Sequence, residues 1–213
     1  WHHAPQQRIT LTNLHIILEE LAENYQLLSC ESHIESMDSK FIRTETTGNK
    51  DPSIDFGMPL EKGIKLHRMK DYENAWKCFE ENADLGNPEA KFWQGYYLYY
   101  GLGVEIDKER AKELYKEAAD NDIADAQVRY SVLLLSNLKK DDNEATKEEI
   151  CSKILHYLKL AANNKHVDAL YYLGDIYVHG KLKVQKNKDL GLEYLRFAAN
   201  ENHSKAINLL KNL

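Results

Sequence analysis

Residues 55 to 57 read Asp-Phe-Gly, a spelling in which an aspartate can hold the magnesium of a bound nucleotide during phosphoryl transfer. That chemistry needs a constellation: a glycine-rich phosphate loop, a lysine on the phosphates and a His-Arg-Asp catalytic base. None of these accompanies the tripeptide in the 213 residues. The nine histidines include the adjacent His2 and His3, but no His-x3-His or glutamate-flanked set that would hold a metal. The acidic run "KKDDNEATKEE", residues 139–149, lacks the glycine and ligand spacing of a calcium loop and reads as an exposed loop. Cys30, Cys78 and Cys151 form an odd set with no short Cys-x2-Cys spacing, which points away from a disulfide scaffold or zinc site and toward a reducing compartment, the cytoplasm. The expectation is a chain with no catalytic residues, no cofactor and no metal site, and hence not itself an enzyme.

Composition narrows the partners. The net charge is −6, with 28 Lys and Arg against 34 Asp and Glu, so the electrostatic footprint of a nucleic-acid binder is missing. No run of 18 apolar residues and no basic segment before an apolar one occurs, so neither a membrane nor a secretory signal is expected. With only 10 Gly and 4 Pro, the chain favours helices. It begins at Trp1 rather than Met, which reads as a piece of a longer protein.

The elements that organise these residues emerge from self-similarity. "NPEAKFWQGYYLYYG", "IADAQVRYSVLLLSN", "HVDALYYLGDIYVHG" and "HSKAINLLKNL" align on Ala90, Ala126, Ala169 and Ala206. Seven residues before these anchors stand Ala83, Ala119, Ala162 and Ala199, three of them closing an Ala-Ala pair. Small residues at one helical phase mark close backbone approach, so each unit reads as two antiparallel helices, A and B. Ala169, Leu173 and Tyr177 line one stripe of helix A, and Gly95, Ser131 and Gly174 recur five residues past the anchors. A unit of this size buries its apolar face only against its neighbours, which is solenoid logic.

The stretch "AKFWQGYYLYYGLGVEIDKERAKELYKEAADNDIADA" carries Gly101, Gly103, Val104 and Asp107 in its connection, then Ala111 and the Ala118-Ala119 pair. In these features it resembles a unit of the Sel1-like repeat family, relatives of tetratricopeptide repeats. "DALYYLGDIYVHGKLKVQKNKDLGLEYLRFAANENHSKA" resembles it nearly as well, with Gly191 where the family has Ala. The middle unit departs most: between Ala126 and Ile154 it carries seven residues more than between Ala90 and Ala111, and it lacks the two glycines. The first unit has a tighter turn, with Gly63 twelve residues before Ala75. The resemblance spans about residues 58–213. It implies an all-α, right-handed superhelical solenoid of antiparallel helix pairs, with units at about 58–87, 88–123, 124–166 and 167–203 and a terminal helix at 204–213. It also implies a protein–protein interaction scaffold.

"WHHAPQQRITLTNLHIILEELAENY", residues 1–25, resembles the closing segment of a protein kinase catalytic domain. Trp1, Pro5 and Arg8 fit that pattern, while Ala4 stands in place of the usual Asp and Ile9 in place of a frequent Pro. In that family the Arg pairs with a glutamate of the activation segment, which this chain does not contain. The same residues also read as an extra amphipathic N-terminal helix from about Thr10, with Leu14, Ile17, Leu18, Leu21 and Tyr25 on one face. The magnesium tripeptide of a kinase precedes its closing segment, whereas Asp55-Phe56-Gly57 follows it by about fifty residues. The tripeptide therefore reads as a turn in a linker, residues 26–57, leading to Pro59. The chain is expected to be the C-terminal repeat region of a kinase-like signalling protein. The alternative is an accessory part of an active phosphotransferase whose catalytic domain lies elsewhere.

One helix A pattern exceeds core formation. Offsets of 2, 6 and 9 from each anchor lie opposite it at 100° per residue. They read Phe92, Tyr96 and Tyr99; Val128, Val132 and Leu135; Tyr171, Asp175 and Val178. Eight of these nine are apolar or aromatic, and Glu89, Asp125 and Asp168 form an acidic row one residue before the anchors. This face is expected to line a concave groove that binds a protein or peptide segment, with the chain's own kinase-like domain or a second copy as candidate occupants. The same pattern fits helices buried on both sides by superhelical packing.

Overall fold

A computed structural model describes residues 58–138 and 143–213. Residues 1–25, read from the sequence as a kinase-like closing segment or an extra helix, and residues 26–57, read as a linker with Asp55-Phe56-Gly57, lie outside the described residues. Phe56–Leu213 forms one unit by its contacts. Its helices are α1 (Leu60–Arg68), α2 (Tyr72–Asp84), α3 (Pro88–Tyr100), α4 (Lys108–Asp120), α5 (Ala124–Leu138), α6 (Glu144–Asn163), α7 (Val167–His179), α8 (Lys188–Asn200) and α9 (Ser204–Lys211). No strand occurs among the described residues.

Local chemistry sets the helix boundaries. Asn87 caps α3 by accepting from the Glu89 and Ala90 amides, and Pro88 occupies the first helical position, where its missing N–H is not needed. Asp71, Asp107, Asn143 and Asn187 cap α2, α4, α6 and α8 in the same way. Gly101 and Gly180 end α3 and α7 in the left-handed region at φ 69°, which glycine enters without the Cβ clash of other residues.

The turns from helix B to helix A share one hydrogen bond. The amides of Ile123, His166 and His203 donate to the carbonyls of Ala118, Ala161 and Ala198, the first members of the three Ala-Ala pairs. These three alanines are fully buried, whereas Ala162 and Ala199, second members of their pairs, are partly exposed. The landmark is thus more deeply packed one residue earlier than the seven-residue spacing suggests.

The extensive helix contacts join only consecutive helices. This is the all-α solenoid of helix pairs expected from the repeats, with α1, α3, α5, α7 and α9 as A helices and α2, α4, α6 and α8 as B helices. The anchors Ala90, Ala126, Ala169 and Ala206 are all fully buried. Glycines on both helices bring the backbones of the α7–α8 pair close together. A Cβ built on Gly174 would lie 2.6 Å from Leu195 Cγ, and one on Gly191 would lie 2.7 Å from the Val178 backbone nitrogen. The glycine at 191 in place of alanine therefore follows from backbone contact.

The middle unit differs from its sequence reading. Most of the acidic run expected to be an exposed loop is helical, because α6 begins at Glu144 and runs for 20 residues against 13 in α4 and α8. Asn143 caps its start, Lys153 bonds Glu149 one turn away, and Lys183 from the following unit reaches Glu144 and Glu148. Helix-forming residues and spaced charges thus turned inserted length into helix. Cys78 and Cys151 are buried free thiols, and burial pushes both up from the usual thiol range. No group of three or more metal-ligating side chains occurs among the described residues, and no described helix is long and apolar enough to cross a membrane.

Candidate protein-binding face

The stripe read from the sequence divides in two. Phe92, Tyr96, Val128, Leu135, Asp175 and Val178 are buried, while Tyr99, Val132 and Tyr171 keep partial exposure. Phe92 packs on Trp93 and on Tyr115 of α4. Tyr96 touches the rings of His67, Trp93 and Tyr100, and the Arg129 guanidinium of α5 lies 5.1 Å from its ring centre. Asp175, the polar exception, bonds Lys181 at 2.6 Å and His179 at 2.9 Å. Tyr99 lies against Tyr100 with Lys108 5.4 Å from its ring centre, and Tyr171 stacks on His203 at 4.8 Å.

The acidic row is more regular than the stripe. Glu61, Glu89, Asp125 and Asp168 each occupy the second residue of an A helix, and Lys205 holds that place in α9. A helix N-terminus favours negative charge there. Two of these acids also join consecutive units. Asp125 Oδ1 lies 3.0 Å from Nε2 of His166, the residue before α7, and Asp168 Oδ1 lies 3.0 Å from Nε2 of His203, the residue before α9. His166 and His203 were not singled out in the sequence. Their shared place three residues before an anchor, next to Asn87 and Ile123 in the other units, was the available signal.

Ile123 holds that place before α5, so Glu89 has no histidine above it. Among the described residues nothing bonds the Glu89 carboxyl. Burial, and then the facing carboxylates of Asp125 and Glu61, push it up to about 7.

The Sel1 repeat family profile matches residues 60–87, 88–123 and 167–203. The chain carries Sel1 repeats. Its Sel1 helix pairs superpose on a Sel1 repeat protein from Oxalobacter formigenes with a TM-score of 0.60 and 28% identity, covering 69% of this chain and 55% of that one. A protective antigen of uropathogenic Escherichia coli displaying an SLR fold superposes at 0.57 with 19% identity, over 70% of this chain and 32% of that one, and shows the fold alone. Among curated proteins, chitin synthase regulatory factor 2 of Schizosaccharomyces pombe is 27% identical over 192 residues, 87% of this chain and 35% of the relative. An uncharacterised protein of Neisseria meningitidis is 26% identical over 143 residues, 67% of this chain and 28% of the relative. The chain thus spans about a third of the length of these curated relatives. Sel1 repeats build protein–protein interaction scaffolds, and no catalytic family is indicated for this chain.

Proposed function

We propose that the A helices of this Sel1 repeat array seat an extended or helical segment of another protein. The acidic row would read basic side chains, and the partly exposed Tyr99, Val132 and Tyr171 would supply apolar anchors. The observation that carries this reading is the row itself: four successive A helices present a carboxylate at the same position, and Glu89 is crowded by Glu61 and Asp125 without a cation of its own. The helix dipole accounts for one acid per helix. It gives no reason for three to face one another, and a basic segment laid across them would relieve that repulsion. Aromatic anchors then supply affinity while the peripheral charges set rate and register.

A regulatory role agrees with the name of the fission yeast relative, a regulatory factor of an enzyme. The finer reading, a parent protein with a kinase-like domain ending near Tyr25, rests on Trp1, Pro5 and Arg8. The residues upstream of Trp1 test it: a glycine-rich loop and a His-Arg-Asp there support it, and any other fold refutes it. The binding reading is tested by selecting from a displayed random-peptide library with the whole chain and mapping the survivors by amide chemical shifts. Basic peptides that move Tyr99, Asp125 and Tyr171 support it. Survivors without basic character, or shifts confined to the B helices, contradict it.

A further inference from the structure

Tyr99, Val132 and Tyr171, the stripe residues that keep partial exposure, stand 9, 6 and 2 residues past Ala90, Ala126 and Ala169. Their three helices share one register. A Cβ on Gly95 would lie 3.2 Å from the Ala111 carbonyl oxygen and one on Gly174 3.1 Å from that of Gly191, while Ser131 Oγ donates to the Ile154 carbonyl at 3.5 Å. Each of these small residues is five past its alanine, so equal offsets mean equal heights along the A helices. At the helical rise, Val132 therefore sits about 4.5 Å nearer the N-terminal end than Tyr99, and Tyr171 about 6 Å nearer than Val132. Arg129 of α5 lies over the Tyr96 and Tyr100 rings of α3, and Asp125 of α5 bonds His166 at the start of α7. Helices in such contact run about 10 Å apart, so the three residues form a slanting line with steps of about 11–12 Å.

A partner helix matches that step, because its residues i, i+7 and i+14 share a face and are about 10.5 Å apart. A partner strand does not, because side chains on one face of it recur at about 6.7 or 13.4 Å. Charge changes sign along the same line. Asp168 lies one turn before Tyr171 and Asp125 two turns before Val132, and Lys205 of α9 faces Asp168 and bounds this acidic stretch. At the other end Lys108 stands 5.4 Å from the Tyr99 ring centre.

We propose that the partner segment is a single amphipathic helix lying aslant across α3, α5 and α7, its apolar residues i, i+7 and i+14 on Tyr99, Val132 and Tyr171. Its N-terminal end carries acids beside Lys108, and its C-terminal half carries bases beside Asp125 and Asp168. The direction follows from the partner's own dipole, which favours acids in a first turn and bases in a last one. Only with its N-terminus over α3 does that order match the charges of this face. The inference rests on the binding reading above and names the conformation, spacing and direction of the segment bound.

The test uses the full chain and a synthetic 21-residue alanine-rich peptide with leucines at positions 4, 11 and 18, glutamates in its first half and lysines in its second. One control moves the central leucine to position 13, off the shared face, and a second carries prolines at positions 8 and 15 that prevent a helix. The parent peptide should bind about tenfold or more tightly than either control, the cost of losing one seated anchor. A nitroxide on its N-terminus should broaden the Tyr99 amide resonance more than that of Tyr171. Equal binding of either control, or stronger broadening at Tyr171, overturns the inference. If the peptides still shift Tyr99, Val132 and Tyr171 in that case, the binding reading survives without it. If no residue of α3, α5 or α7 responds to any of the three, both fail.

Discussion

His203 donates from Nε2 to Asp168 Oδ1 at 3.0 Å while its Nδ1 accepts from the Ala206 amide at 3.1 Å. Because Nδ1 is an acceptor, the ring proton must sit on Nε2, so one neutral tautomer both caps α9 and ties it to the preceding unit. Replacing His203 with Ala removes both bonds and should destabilise the array by about 1–3 kcal/mol, combining a lost cap with a lost bond to a carboxylate. His203→Asn restores a capping oxygen without reaching Asp168, so its urea midpoint should lie between the two. Equal midpoints for the Ala and Asn variants would mean that the cap contributes nothing.

The two glycines at the α7–α8 crossing should be the least substitutable small residues. A Cβ on Gly191 would meet the Val178 nitrogen at 2.7 Å and the Gly174 carbonyl at 2.8 Å, backbone atoms that cannot step aside. Gly191→Ala should therefore cost about 1–3 kcal/mol through overpacking. Gly95→Ala meets Tyr115 at 3.1 Å and the Ala111 carbonyl at 3.2 Å, and alanine's helix propensity offsets about 1 kcal/mol of that strain. Thermal unfolding should show a clearly larger loss for the Gly191 variant, and the reverse order would contradict the packing described.

Helix pairs, anchors and close-approach positions were legible because each leaves a periodic trace: a fully buried Ala90, Ala126, Ala169 or Ala206 admits nothing larger. The length of α6 was not legible, since Lys and Glu in "EATKEE" suit a solvated loop and a solvated helix equally, and Asn143 decides between them only once its capping bond is seen. The face was legible in part. The spacing singled out the acidic row as a row, but offsets counted on an isolated helix ignore the neighbours that bury Phe92 and Tyr96. The His166 and His203 pairs join residues 41 and 35 positions apart, a separation that helical periodicity does not encode.

Lys165 adopts φ 59° at the turn where the first helix pair has Gly86 at φ 85°. A lysine in the left-handed region is strained. Lys165→Gly should therefore raise stability by up to ~1 kcal/mol, less the extra freedom glycine gives the unfolded chain. A lower unfolding midpoint would show that the lysine side chain stabilises the turn through contacts of its own.

Glu89 gives the array a distinctive pH dependence. Its carboxyl is raised in the folded chain from the usual 4.5 to about 7, so between those values the folded state holds more protons than the unfolded one. Stability then falls as pH rises through that window, opposite to the usual ion-paired carboxylate. Glu89→Gln should remove this part of the slope and unfold later than wild type at pH 8. A wild-type profile that the variant leaves unchanged from pH 4 to 8 would mean that Glu89 ionises freely.

The proposed binding of a protein segment to the A-helix face is tested most directly by the dissociation constant of a library-selected basic peptide for the wild type and for Tyr99→Ala/Tyr171→Ala. Loss of aromatic anchors at an interface typically costs about 2 kcal/mol or more, roughly 30-fold in affinity. At least that weakening is expected, with the circular dichroism of the array unchanged. A dissociation constant within twofold of wild type in a folded double variant would contradict it.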